Sequence, residues 1–338
     1  MSQFTPRLIF AGQLTQDYII PLIGQPQLNI PGGNLLYAAV GAAIWKQKSG
    51  LIARVGENYP QDWLAQLSEL GFETRGIRLL PETVDMRLFT AFLDENTASH
   101  DNPIEYFSRR GVHFPKQLLG YAYNELSPCS RTRLLFNSIR AGDIPADYID
   151  ANAAHICPID YLTHNLLPSV LLKEGHVTTI TLDPADGYMN SVFWNDIPGI
   201  VSFVTAFLPS ERQMRELFKN RTTDLWEMAE EIGSYGCEYV VVKCGSQGQI
   251  LYDSVAKNRW NIPAYPAKVI NPIGGGDAFC GGFLAGYLKT FDPLQAALYG
   301  NISASIVVEG NNPFYALDAL PGLAEARFEF IKGMVQKV

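Results

Sequence analysis

The chain alternates short apolar runs with longer stretches of helical periodicity. Arg7–Ala11 and Leu51–Val55 read as strands. Between them, Asn34–Gln47 is apolar almost all round, which predicts a helix buried on most sides. Pro60–Leu70 is amphipathic and ends at Gly71, a common helix stop. Arg87–Asp94 partly alternates apolar and polar residues and predicts a strand. The polar Glu95–Pro103 reads as a turn, and Glu105–Ser108 as the returning strand of a small hairpin standing off the main sheet.

The second half is more regular. Strands are expected at His155–Pro158, Thr178–Asp183, Ser202–Leu208, Tyr239–Lys243 and Gln249–Tyr252, with helices at Tyr161–Lys173, Glu211–Lys219 and Thr223–Tyr235. Asp277–Lys289, Pro293–Val308 and Pro321–Gln336 close the chain as three helices. Strands spaced by helices predict a three-layer α/β/α fold around a mostly parallel sheet. The length allows two domains, but large single α/β domains reach this size, and residues 1–338 are expected as one. In such sheets ligands bind beyond the carboxyl ends of the strands. Here those ends carry Asp183-Pro184, Pro209-Ser210-Glu211 and Cys244-Gly245-Ser246-Gln247-Gly248, which are polar or glycine-rich as a site requires.

One stretch carries chemistry of its own. Asn271-Pro272-Ile273-Gly274-Gly275-Gly276-Asp277-Ala278-Phe279 leads into the small, apolar run Cys280–Tyr287. Glycines let a backbone turn tightly and aim bare N–H groups at one point, and a helix start adds unpaired donors and a positive dipole end. The combination is an anion site, most often for phosphate. Asp277, a second anion there, makes sense as a proton acceptor beside a phosphate; the alternative is a tight turn with Asp277 as a helix N-cap. The lysine of a Walker A loop and a GxGxxG fingerprint are both absent, which disfavours P-loop and dinucleotide sites, and with them a dehydrogenase.

Composition narrows the classes. The 338 residues are 47% hydrophobic and 18% charged, enough for a sizeable core, and the net charge of −8 argues against a general nucleic-acid binder. The five cysteines (Cys129, Cys157, Cys237, Cys244 and Cys280) form no CxxC, and no HExxH occurs, so a zinc site is not expected. Scattered cysteines, no signal pattern over Met1–Arg7 and no uncharged apolar run of membrane-spanning length predict a cytoplasmic protein without a membrane partner.

Asn271–Leu284 resembles the C-terminal signature of the PfkB, or ribokinase-like, carbohydrate kinases, with Gly275 where alanine is commonest and Asn271-Pro272 where aspartate and threonine are most usual. The resemblance runs across nearly the whole chain. The run containing Gly12 and Asp17 is similar to the family's first strand, Pro31-Gly32-Gly33-Asn34 to its N-terminal Gly-Gly motif, and Lys243–Gly248 to its phosphate-flanking strand and loop. Pro293–Gly310 is similar to the helix bordering the adenine, with Asn301 either a nucleotide contact or a polar residue on a helix face.

By this resemblance Asp277 is the base and Gly274, Gly275 and Gly276 form the anion hole. Asp17, Gly32, Gly33, Asn34, Tyr37 and Arg87 would bind substrate. Ser210, Lys243, Gly245, Ser246, Gly248 and Asn301 would bind nucleotide, and Asp183 and Glu211 would lie near a metal. The resemblance implies a ribokinase-like fold with a small β lid from segments 14–31 and 84–110, in which Arg87, Arg109 and Arg110 supply positive charge. It implies ATP and Mg2+ as cofactors, a small sugar-like acceptor, and a monomer or lid-mediated homodimer. Two departures stand out. Ser210-Glu211-Arg212-Gln213 replaces the usual Asn-x-x-Glu whose acidic end organises magnesium, and Tyr37 replaces a frequent asparagine. The expected activity is ATP-dependent phosphorylation of a hydroxyl on a sugar or sugar derivative; the alternatives are a nucleoside kinase or a kinase-fold binding protein with weak or no turnover.

Overall fold

A computed structural model describes residues 6–94, 97–123 and 130–338. Met1–Thr5, two residues of the expected turn (Glu95 and Asn96) and Cys129 lie outside them. Among the described residues fourteen strands form in chain order: β1 Leu8–Ala11, β2 Thr15–Ile20, β3 Gln27–Gly32, β4 Ser49–Gly56, β5 Glu73–Leu80, β6 Arg87–Phe92, β7 Ala98–Ser99, β8 Ala153–Ile156, β9 Thr179–Leu182, β10 Ala206–Phe207, β11 Tyr239–Lys243, β12 Gln249–Asp253, β13 Asn258–Ile262 and β14 Gln336–Lys337. Ten of them make one sheet in the order β14-β13-β12-β11-β10-β9-β8-β1-β4-β5. From β5 to β11 every pairing is parallel, and β12, β13 and β14 add antiparallel edges.

Strand alternation separates two cores. Leu8 and Phe10 of β1 face one layer and Ile9 and Ala11 the other; Val241 and its neighbours Val240 and Val242 divide in the same way. The first layer holds helices Asn34–Ala43, Gly275–Thr290, Pro293–Val307 and Leu323–Lys332. The second holds Tyr161–Glu174, Glu211–Leu217 and Leu225–Ser234. Among the described residues no helix is long and apolar enough to cross a membrane.

The chain runs outward from β1 to β4 and β5, then returns to place β8 on the other side of β1. A crevice therefore opens beyond the carboxyl ends of β1 and β8, where strand order reverses. A second sheet, in the order β3-β2-β6-β7, stands over it with its own core of Tyr18, Ile20, Phe89, Ala91, Phe107 and Leu118.

Three expectations are corrected here. Glu105–Ser108 does not return as a strand: Pro103–Arg109 is a helix, started by Asn102 in the left-handed region (φ 50°) and by Pro103, and anchored by buried Phe107. The partner of β6 is instead Ala98–Ser99. The strand expected over Ser202–Leu208 shrinks to Ala206–Phe207, because the helix Ile197–Val201 and its closing turn occupy the preceding chain.

Candidate active site

The glycine-rich stretch ends in a helix that starts earlier than its sequence suggests. Gly274, at φ 71°, is the N-cap of Gly275–Thr290, so Asp277 stands inside the first turn and caps nothing. A Cβ on Gly274 would overlap the Tyr37 ring. Gly275 N–H bonds Pro272 O at 3.3 Å, and Gly276 N–H has no backbone partner among the described residues.

This helix start separates two cavities. One, of about 280 Å³, is lined by Asp277 together with Gln13, Asp17, Gly33, Asn34 and Tyr37. The other, of about 450 Å³, is lined by Gly275, Gly276, Lys243, Gly245, Ser246 and Gly248, with Phe279 and Asn301 behind them.

Asp17 lies on β2 and reaches into the smaller cavity. Thr15 Oγ1 donates to its Oδ1 at 2.5 Å, while its Oδ2 is buried without a hydrogen-bond partner among the described residues. Gly32 must lack a side chain because a Cβ would overlap that carboxylate. Gly33, at φ 101°, lets the chain pass over Gln13 O. Asn34 braces the crevice: its Oδ1 accepts from Gln13 N–H at 2.9 Å and its Nδ2 donates to Pro158 O at 2.6 Å. The Tyr37 hydroxyl is buried and also lacks a partner among the described residues. Cavity walls with two unpartnered polar atoms suit a polar ligand that completes them.

Burial pushes the Asp17 carboxyl up to about 7, against the Thr15 hydrogen bond and with a further contribution from the Asp277 charge. Burial likewise raises Asp277 to about 7; Asp183 adds to this and Lys243 opposes it. Asp277 is thus tuned toward neutrality, where a carboxylate is a useful base.

The larger cavity is framed differently from the sequence expectation. The amide of Asn301 is engaged by the chain itself, accepting from Tyr265 N–H at 2.9 Å and donating to Pro263 O at 2.7 Å and to Gln249 Oε1 at 3.3 Å. It holds the 263–265 segment that forms the cavity wall.

Six expected site residues line neither cavity: Gly32 and Gly274, whose backbone packs against Asp17 and Tyr37, Asp183, and the three that are engaged elsewhere, Arg87, Ser210 and Glu211. Arg87 pairs with Asp85 and donates to Gln117 O and Leu119 O. Ser210 caps its helix, accepting from Gln213 N–H, while Gln213 Oε1 accepts from Ser210 N–H at 2.8 Å and from Ser210 Oγ at 3.0 Å. Serine and glutamine three residues apart thus form a capping box. Glu211 pairs with Arg215 at 2.6 Å.

The donor set does not fit a resident divalent cation. Gln213 is neutral, and its Nε2 donates to Pro184 O and Asp186 Oδ1, both at 2.8 Å. Asp186 is also paired with Arg212, and Asp183 with Lys243. Among the described residues no group of three or more His, Cys, Asp or Glu side chains is placed to hold a metal.

Gln13, Thr15, Leu88, His100, Tyr123, Pro158 and Asp186 also line the smaller cavity and were not expected. They sit outside the glycine motifs; only Gln13 and Thr15, between Gly12 and Asp17, gave a signal by position.

The comparisons fit this geometry. Residues 160–318 match the model of the pfkB family carbohydrate kinases. The match covers just under half of the chain. A cytidine kinase of Thermococcus kodakarensis is 28% identical over 83% of this chain and 88% of its own. A 5-dehydro-2-deoxygluconokinase of Clostridium perfringens is 26% identical over 68% of this chain and 74% of its own. Among solved structures, a putative ribokinase II from E. coli in complex with ATP and Mg2+ superposes with a TM-score of 0.68 at 17% identity, covering 97% of this chain and 99% of that one. The chain has the ribokinase-type fold, and the relatives it matches are sugar and nucleoside kinases.

Proposed function

We propose that the protein transfers the γ-phosphoryl group of ATP to a hydroxyl of a small polyhydroxylated acceptor. One observation carries this reading: a single helix start borders both cavities, with Asp277 facing one and Gly275 and Gly276 facing the other. The nucleotide enters the larger cavity with its phosphates toward the glycine turn. The acceptor enters the smaller one with a hydroxyl toward Asp277, which takes the proton as the oxygen attacks. Phosphoryl transfer has a loose transition state and needs mainly positioning and charge stabilisation. The glycine turn Gly274–Gly276, with the open N–H of Gly276, supplies part of that stabilisation. Asp17 receives another acceptor hydroxyl on its unpartnered Oδ2. The ATP complex of the E. coli neighbour supports the choice of nucleotide.

The second sheet acts as a lid. Segments 14–31 and 84–110 bring Thr15, Asp17, Leu88 and His100 over the acceptor, where they exclude water as a competing nucleophile. The same sheet and its adjoining chain expose Ile23, Leu28, Leu93, Ile104 and Leu119, which suits a lid-mediated homodimer. Sedimentation velocity should give a dimer mass; a monomer at high concentration would refute it.

A specific observation favours a nucleoside acceptor over a free sugar. His100 and Tyr123 stack at 4.9 Å with an interplanar angle of 17°, and both line the acceptor cavity beside Leu88. The cavity wall therefore offers polar groups for hydroxyls and an aromatic pair for a planar base. The cytidine kinase relative supports the same choice. ADP release across sugars, sugar acids and nucleosides tests both levels. Turnover is expected with a nucleoside, and Tyr123→Ala should raise its KM about tenfold, the usual scale of base stacking. Turnover with sugars alone would overturn the nucleoside assignment, and no acceptor-dependent ADP release would overturn the kinase reading.

A further inference from the structure

Three acidic groups near the phosphate path are each held by a protein cation: Asp186 by Arg212, Glu211 by Arg215 and Asp183 by Lys243. Of these cations Lys243 alone lines the nucleotide cavity. It ends β11 at the carboxyl edge of the parallel sheet, and its side chain is 13% exposed. Its Nζ lies 3.7 Å from the point a Cβ on Gly276 would occupy, so the ammonium sits beside the glycine turn.

The ammonium is fixed in place. Asp183 accepts one of its protons and Cys280 Sγ lies 3.4 Å away, while the Cys280 thiol in turn reaches Asp183 Oδ2 at 3.4 Å. An ammonium has three donors. These contacts take two, and the third is left for a ligand in the cavity. Burial works against the charge, yet Asp183 and its neighbours hold the lysine pKa above its ordinary value.

We propose that Lys243, anchored by Asp183, binds the phosphate chain and neutralises the transferring phosphoryl group, a protein cation serving where the acidic metal-organising position is occupied by Gln213. This rests on the kinase reading above. Gln213 is committed to its capping box and to Asp186, so it brings no charge to the site. A lysine fixed at the glycine turn supplies positive charge there without any metal ligand from the chain.

The test is calorimetric binding of ATP and of AMP in EDTA, together with steady-state turnover. Lys243→Met is expected to weaken ATP about tenfold, the usual worth of a charge-assisted phosphate contact, and to leave AMP unchanged. It should lower kcat about 10²-fold with the acceptor KM unchanged. Lys243→Arg should recover part of both losses. Because Lys243→Met leaves Asp183 buried and unpaired, the double variant Asp183→Asn/Lys243→Met is run beside it and should show the same ATP-specific loss with a wild-type melting temperature. Equal weakening of ATP and AMP, or wild-type ATP affinity in both variants, would overturn the proposal. A wild-type protein that binds ATP through Lys243 but forms no ADP with any acceptor would overturn the kinase reading and leave the phosphate contact supported.

Discussion

Asp277→Asn is expected to lower kcat by about 10²–10⁴-fold, the range of a positioned general base, with little change in acceptor KM. The pH profile should carry the same signature. Asp277 must be ionised to act, and its folded pKa lies near 7, so wild-type kcat/KM should rise with pH and level off above about 7. Asp17 is raised to about 7 as well and feels the Asp277 charge, so the profile reports the pair and not either group alone. Stability should run the other way. The folded pKa of Asp277 is raised above its ordinary value of 3.8. From about pH 4 to 7 the unfolded chain loses a proton that the folded protein keeps, so stability falls as pH rises through this window. Asp277→Asn removes that term and should raise the melting temperature above pH 7 but hardly at pH 4. A variant with more than about a tenth of wild-type kcat would show that Asp277 is not the base.

The alternation of strands and helices in the second half was legible because each element follows its own periodicity. Tyr239–Lys243 and the helix from Tyr161 both start where the pattern places them. Glu73–Leu80 was not legible. It is an edge strand with charged residues at Glu73, Arg75 and Arg78, so its apolar signal is weak, and parallel pairing with β4 defines it. Motif residues were legible where the backbone itself is the feature, as at Gly32, Gly33 and Gly274. Side-chain direction was not. Arg87 has the right position in the chain but is drawn outward by Asp85, and the Ser210–Gln213 pair read as an altered metal motif and folds as a helix cap. His100 and Tyr123 meet at the smaller cavity only because the second sheet and its adjoining chain come to line it, which local pattern cannot disclose.

The position of Asp277 depends in turn on how its helix is seated, and Gly281→Ala should unseat it. Gly281 lies one helical turn beyond Asp277, against the helix Asn34–Ala43 that carries Tyr37. A Cβ at Gly281 would overlap Ala38 O, and one at Gly41 would overlap Ala278 O, so the two helices touch backbone to backbone. Helix propensity alone favours alanine over glycine by about 1 kcal/mol. Overpacking costs about 1–3 kcal/mol, and more where the obstructing atom is backbone and cannot rotate away. The second effect wins here, and Gly281→Ala is expected to destabilise the protein by about 3 kcal/mol. Relief requires the helices to separate, which displaces Asp277 from the acceptor hydroxyl; a misplacement of about 1 Å can cost 10²-fold in rate. Gly276→Ala is the control for stability, since Gly276 is exposed and its added Cβ would meet only Lys243 Nζ at 3.7 Å. Chemical denaturation should therefore separate the two substitutions, with Gly276→Ala near wild type. A Gly281→Ala protein that unfolds with the wild type would mean that the backbone contact does not set the helix position.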